Sequence, residues 1–162
     1  MVNIRKIAFL LVATSSCFAT TWTVDDDGKA DFSSIQEAID ASSNGDFIYV
    51  QEGIYFEHIN FQGKAITVEG VNVENTIIDG SKGIGAVVTF ENGESNASVL
   101  SKFWIRGGSG NYWTDPIFGP QRCGGGIFCN QSSPMIQLCN ITDNSAWGGA
   151  GLFATEGEPT IL

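Results

Sequence analysis

The sequence predicts an all-β fold, a right-handed parallel β-helix solenoid with a short N-terminal capping α-helix. Three observations carry this expectation. Gly126-Ile127-Phe128 recurs as Gly151-Leu152-Phe153, Pro134 as Pro159 and Ile136 as Ile161, each pair offset by 25 positions without a gap. A fixed period of this order marks a stack of structural repeats. The repeat is built from very short apolar runs (Ile127-Phe128, Met135-Ile136, Cys139–Ile141) separated by Gly, Asn, Ser and Pro. Such runs are too short for two helices and lack helical spacing, whereas three short strands with sharp turns make one β-helix rung. Finally, one amphipathic helix pattern stands ahead of the first rung, where a solenoid must cover its apolar end.

The totals narrow the function classes. A length of 162 residues suits one domain, and the formal charge of −10 argues against nucleic acid or an anionic membrane surface as partner. Low charge density with 20 glycines fits a turn-rich β chain. Beyond residue 20 no apolar run has the length of a transmembrane helix. Cys17 falls in the leader, which leaves Cys123, Cys129 and Cys139, an odd set with no zinc spacing. A Cys123–Cys129 or a Cys123–Cys139 disulfide would suit an exported protein. Free buried thiols stacked inward are the alternative.

Taken in order, residues 1–19 read as a secretory signal. Arg5 and Lys6 precede the apolar Ile7–Ala13, and Ser15–Ala19 supplies small residues for cleavage after Ala19. The expected location is therefore secreted, extracellular or cell-surface, with outer-membrane association as a variant. The β-helix domain would span 20–162, with the N-terminal cap at 21–46 and the rungs at 47–162. Thr21–Val24 reads as a strand and Asp25-Asp26-Asp27-Gly28 as a turn. A helix is expected over residues 31–43, capped by Ser33 or Ser34, with Phe32, Ile35, Ala38 and Ile39 on one face. Phe47–Val50 follows as a strand.

The rungs can be traced by offset. Val99-Leu100 stands 36 before Met135-Ile136, and Phe103–Ile105 stands 36 before Cys139–Ile141. Ile77-Ile78 precedes Val99-Leu100 by 22, and a second file runs through Ile48, Thr67, Val88, Ile127 and Leu152. Rungs of 18–25 residues are expected, with one exception: an inserted loop at about 107–124, and insertions in solenoids often form the binding face. The chain stops within a strand at Thr160-Ile161-Leu162, so it reads as the amino-terminal piece of a longer protein.

Residues 24–80 resemble the amino-terminal part of pectin-lyase-like right-handed β-helix proteins, pectin methylesterases in particular. The residues that carry this are Val24, Asp27-Gly28, Phe32, Ile35-Gln36-Glu37-Ala38-Ile39, Val50, Gly53-Ile54-Tyr55-Phe56-Glu57, Ile66–Gly70 and Thr76-Ile77-Ile78-Asp79-Gly80. These are cap, turn and core positions, so the resemblance implies the fold more than an activity. It also implies a catalytic set of two Asp, an Arg and Gln residues in Gln-Ala-Val-Ala-like and Gln-Asp-Thr-like motifs. Here Gly85-Ala86-Val87-Val88 lacks the Gln, and no Gln-Asp pair occurs. The stretch Ile141–Ala150 resembles the Phe-x-x-Asn and Gly-Gly-Ala repeats of polymorphic outer-membrane proteins, with Ile141 where Phe is usual.

The candidate site is carbohydrate-binding: Tyr112, Trp113, Asp115, Phe118 and Arg122 in the insertion. Exposed aromatics stack on sugar rings and charged neighbours fix hydroxyls. Alternatively, the same aromatics fold over the sheet as a satellite cluster. No cofactor is expected; the one ion with suitable oxygen ligands is calcium, at Asp25-Asp26-Asp27 with Asp31 nearby, although a turn before a capped helix explains those residues better. His58, the only histidine, reads as a half-exposed strand residue. Lys102, Arg106 and Arg122 are the cations that could act as a lyase base beside Asp115, with solvated surface charge as their alternative role. Asn96, Asn130 and Asn140 lie in glycosylation-type tripeptides, and Asn in the turns suits left-handed backbone. The expectation is a secreted or cell-surface binding or display module for polysaccharide or surface glycan, with no complete catalytic site in this stretch. The competing expectation is the N-terminal portion of a polysaccharide lyase or pectinesterase-like enzyme.

Overall fold

The structure, a computed structural model, describes residues 18–162. Nearly all of the expected signal sequence thus lies outside the described residues. The described residues begin with β1 (Thr21–Val24) and α1 (Ile35–Ala41) and then wind in rungs of three strands. The first rung is β2 (Phe47–Val50), β3 (Gly53–Tyr55) and β4 (Ile59–Asn60); the second is β5 (Thr67–Gly70), β6 (Thr76–Asp79) and β7 (Val88–Phe90). The third consists of β8 (Val99–Ser101), β9 (Trp104–Arg106) and β12 (Ile127–Asn130), interrupted by a hairpin of β10 (Asn111–Asp115) and β11 (Gly119–Cys123). The fourth holds β13 (Met135–Gln137), β14 (Asn140–Ile141) and β15 (Leu152–Thr155), and β16 (Thr160–Ile161) begins the next.

Equivalent strands pair in parallel into three sheets, β1-β2-β5-β8-β13-β16, β3-β6-β9-β14 and β4-β7-β12-β15. This is the right-handed parallel β-helix. Inward side chains stack rung on rung: Ile48, Val68, Leu100 and Ile136 in the first sheet, Ile78 and Ile105 in the second, Val88 and Ile127 in the third. All are buried, and each contributes about 1.5–3 kcal/mol of apolar transfer energy.

The 25-residue repeat is one rung: Ile127 pairs with Leu152, and Met135 with Thr160. The 36-residue offsets also pair as expected, Val99 with Met135 and Trp104 with Asn140. Two other files are corrected. Ile48 pairs with Val68 in the first sheet, whereas Val88, Ile127 and Leu152 belong to the third. Ile77-Ile78 pairs with Trp104-Ile105 of the second sheet, not with Val99-Leu100. Short apolar runs from different sheets look alike in sequence, and only the ladder tells them apart. The second rung is also longer than expected, because Thr67 pairs with Val99, 32 positions on. A 3₁₀ turn at Gly80–Lys82 and the corner at 91–98 take up the excess.

The helix is shorter than its pattern, starting at the cap Ser34, whose Oγ accepts from the Glu37 N–H. Phe32 is not helical; it bridges Val24 and meets Trp22 edge-on at 5.5 Å. Ile35, Ala38 and Ile39 face the core. Gln36 reaches β4, the end strand of the third sheet, accepting from the Asn60 N–H (2.7 Å) and donating to the Asn60 carbonyl (3.3 Å). Its side-chain amide stands where the backbone of a further rung would be, which satisfies an otherwise unpaired strand edge. The Glu57 carboxylate closes the helix start, accepting from Ile35 N, Gln36 N and Ser34 Oγ at 2.8–2.9 Å.

Corners are held by polar side chains. Glu94 is buried, and its carboxylate accepts from Gly63 N (2.7 Å), Asn92 N (2.9 Å) and Ser132 Oγ (2.7 Å), tying three successive corners together. Among the described residues the left-handed non-glycine positions are Gln62, Lys102, Gln131, Leu138, Asp143 and Glu156. The asparagines of the turns are not among them. They serve instead through side-chain bonds, as when Asn144 donates to the carbonyls of Ile105 and Thr142 and accepts from Gly108 N.

Candidate functional site

The insertion is a regular antiparallel hairpin. It leaves the solenoid at Gly108, where a Cβ would collide with the Gly125 carbonyl, so the base of the hairpin lies directly against the approach to β12. At its tip the Asp115 carboxylate accepts from the N–H groups of Ile117 (2.7 Å) and Phe118 (2.8 Å). Asp115 is thereby an organiser of the turn.

Strand alternation divides the aromatics. Trp113 shares a face with Cys123 and packs toward the solenoid, its ring 5.3 Å from that of Phe153, which stacks on Phe128 at 5.8 Å. Together with Ala86 these form a second, smaller apolar cluster. Tyr112 faces the other way and is 70% exposed. Its cross-strand partner Arg122 lays its guanidinium over the phenol ring at 4.5 Å and donates from Nη1 to the Gly110 carbonyl at 3.0 Å. Such a stack holds the cation in one orientation.

The loop before β15 completes the site. Trp147 N donates to the Arg122 carbonyl at 2.9 Å, and Cys123 bridges to Gly148. The Trp147 ring is exposed and tilts against Phe118 at 5.5 Å. Between hairpin and loop lies an open cleft of about 520 Å³, lined by Ser109, Tyr112, Gln121, Arg122, Ser145 and Trp147 among others. Among the described residues no carboxylate lines it. Of the five residues picked out in the insertion, the structure places Tyr112 and Arg122 in the cleft, Phe118 behind Trp147, Trp113 on the opposite face and Asp115 in the turn. Trp147, Ser109 and Ser145 escaped the sequence reading. Trp147 was within reach of it, because the 25-residue offset carries Arg122 onto Trp147.

The other cations are engaged. Arg106 Nε donates to Asp79 at 2.8 Å and Lys102 Nζ to Glu69 at 2.8 Å. Burial opposes ionisation of Asp79, but hydrogen bonds from Ser81 and Arg106 outweigh it and hold the carboxyl below its ordinary value. The hydrogen bond and charge of Glu69 raise the Lys102 ammonium above its own. The aspartates near the N-terminus point to separate partners. Asp26 accepts from Ile54 N, Asp27 pairs with Lys29, and Asp31 accepts from Thr23 N and Oγ1. Among the described residues no three His, Cys, Asp or Glu side chains converge as metal ligands. His58 is half-buried, with Nδ1 2.8 Å from the Ala86 carbonyl and Nε2 buried without a partner. Cys123, Cys129 and Cys139 are free thiols, and burial pushes Cys129 to about 12 and Cys139 to about 11. No described helix is long and apolar enough to cross a membrane.

Known proteins resemble this arrangement in fold. No protein-family profile matches the chain. A probable pectinesterase/pectinesterase inhibitor 17 of Arabidopsis thaliana is 41% identical over 83 residues, which is 50% of this chain and 16% of that protein. The chain thus spans a small part of that relative. A crystal structure of pectin methylesterase in complex with hexasaccharide VII superposes with a TM-score of 0.61 at 13% identity, over 88% of this chain and 48% of that one. A pectin methylesterase point mutant with hexasaccharide IV gives 0.56 at 13% identity, over 90% and 50%. These structures share the parallel β-helix with the chain, and at such identity the likeness is one of fold. The resemblance of residues 141–150 to outer-membrane repeats gains no support from these proteins.

Proposed function

We propose that the chain is a segment of a pectinesterase-like protein acting on an extracellular polysaccharide, and that its own share of the work is to hold the glycan at the hairpin cleft. The single observation that carries this is the open cleft between Tyr112, Arg122 and Trp147, which offers exposed aromatic faces and a fixed cation on a β-helix side. The 41% identity to a probable pectinesterase supports the class of polysaccharide. A lyase is less well supported, because Lys102 and Arg106 are ion-paired and Arg122 is a permanent cation, poorly suited to take a proton. The ester-cleaving residues of such a protein would be supplied outside the described cleft.

The test is methanol release from methyl-esterified polygalacturonate by the protein that carries this segment, with glycan binding followed in parallel. Release with binding is the expected result. Binding without release would favour a second reading, a surface binding or display module, for which the exposed aromatics of the cleft also speak. Absence of both would overturn the proposal.

A further inference from the structure

Resting on the polysaccharide reading above, we infer that the cleft recognises the free carboxylate of a uronic-acid unit, and so selects the unesterified form of an acidic glycan over its methyl ester. The chain carries 18 acidic residues against 8 Lys and Arg; Arg106 is matched to Asp79 and Lys102 to Glu69, while Lys64 donates to the carbonyls of Ile39 and Asp40 and Lys82 lies over the Phe56 ring. Arg122 is the cation that lines the cleft. Among the described residues it has no ion-pair partner, and its one side-chain hydrogen bond goes to a backbone carbonyl. No carboxylate among the described residues lines the cleft around it, and Asp115, nearby in the hairpin, is turned to the N–H groups of its own tip.

The guanidinium is also pre-set. Stacking on Tyr112 and the bond to Gly110 fix its plane, and the rest of its fork remains unclaimed by protein acceptors among the described residues. A planar fork of this kind matches a carboxylate through paired charge-assisted hydrogen bonds, which a methyl ester, neutral and weaker as an acceptor, cannot reproduce. The exposed faces of Tyr112 and Trp147 suit the C–H faces of a pyranose ring, and Ser109 and Ser145 bring hydroxyls to the same cleft. A uronate presents this combination of flat apolar faces and one in-plane anion. The overall negative charge of the chain would repel such a ligand elsewhere, so the neutral-to-positive cleft is where it can settle.

The experiment is calorimetric titration of the full chain with hexagalacturonate, with its fully methyl-esterified form and with a neutral galactose hexamer, at low and high salt. The expected result is at least about tenfold tighter binding of the free acid, weakened by salt. Arg122→Gln should collapse the preference to within about twofold, and Arg122→Lys, which keeps the charge without the fork, should retain part of it. Tyr112→Ala with Trp147→Ala should weaken both forms. Circular dichroism melts confirm that each variant is folded. Equal binding of acid and ester by the wild type, a preference that survives Arg122→Gln, or no binding of either overturns the inference. Equal binding that is lost in the aromatic double variant leaves the cleft as a glycan site and removes only the carboxylate preference. Conversely, a preference abolished by Arg122→Gln without methanol release upholds the inference and sinks the esterase reading.

Discussion

At the scale of the residue, single carboxylates do work that a regular helix or sheet would otherwise do with its backbone. Glu57 accepts two N–H groups and a hydroxyl at the start of α1, so one side chain from the first rung satisfies donors that every helix leaves open. Replacing it by Ala would leave those groups to water or unpaired. Glu57→Ala is therefore expected to cost about 2 kcal/mol in urea unfolding, with Glu37→Ala, on the same helix, as an inexpensive control. Equal effects of the two would contradict this role. In the sequence Glu57 stands out only as the last residue of the Gly53–Glu57 stretch, and nothing local points to partners more than 20 residues away.

At the scale of the element, the hairpin is amphipathic across its two faces. Trp113 joins Phe153 and Phe128 against the solenoid, while Tyr112 stands in solvent with Arg122 over its ring. Trp113→Ala should destabilise the chain by about 2 kcal/mol by opening the smaller apolar cluster. Tyr112→Ala should change stability by no more than about 0.5 kcal/mol. Thermal melts of the two variants decide it, and a reversed order would mean that the faces are assigned wrongly. Adjacent aromatics in a strand must point to opposite sides, which the sequence implies. Which of the two is inside depends on the docking of the hairpin.

At the scale of the molecule, the chain is acidic yet held together partly by ionised carboxylates, which predicts an acid limit to its stability. Hydrogen bonds from the backbone of Ser43 and Thr20 hold Asp46 below its ordinary value of 3.8, and Asp79 is lowered as well. A depressed folded-state value means that the stabilisation is complete above the unfolded value and is lost as pH falls through the folded one. Stability should be flat toward neutrality on account of these groups and decline below about pH 4. Asp46→Asn should lower stability at pH 7 and make the acid decline shallower. Guanidinium unfolding across pH 2–7 measures both, and an unchanged acid slope in the variant would exclude Asp46 from that role.

The sequence alone determined the solenoid, because a 25-residue repeat of runs too short for helices leaves few ways to bury apolar side chains. It also determined the helix ahead of the first rung, through local capping and spacing, and the existence of an insertion, through a break in the period. Tertiary structure decided the rest. Ile48 and Val88 carry the same local signal yet lie in different sheets, since parallel pairing is set by strands 20–39 positions apart. Trp147 meets Arg122 only because the ladder brings the next rung alongside the hairpin. The division of labour between Tyr112 and Trp113, and the lack of a carboxylate beside Arg122, are likewise properties of packing. Local sequence can set a period and a turn; which side chains meet across rungs is a non-local outcome of the backbone ladder.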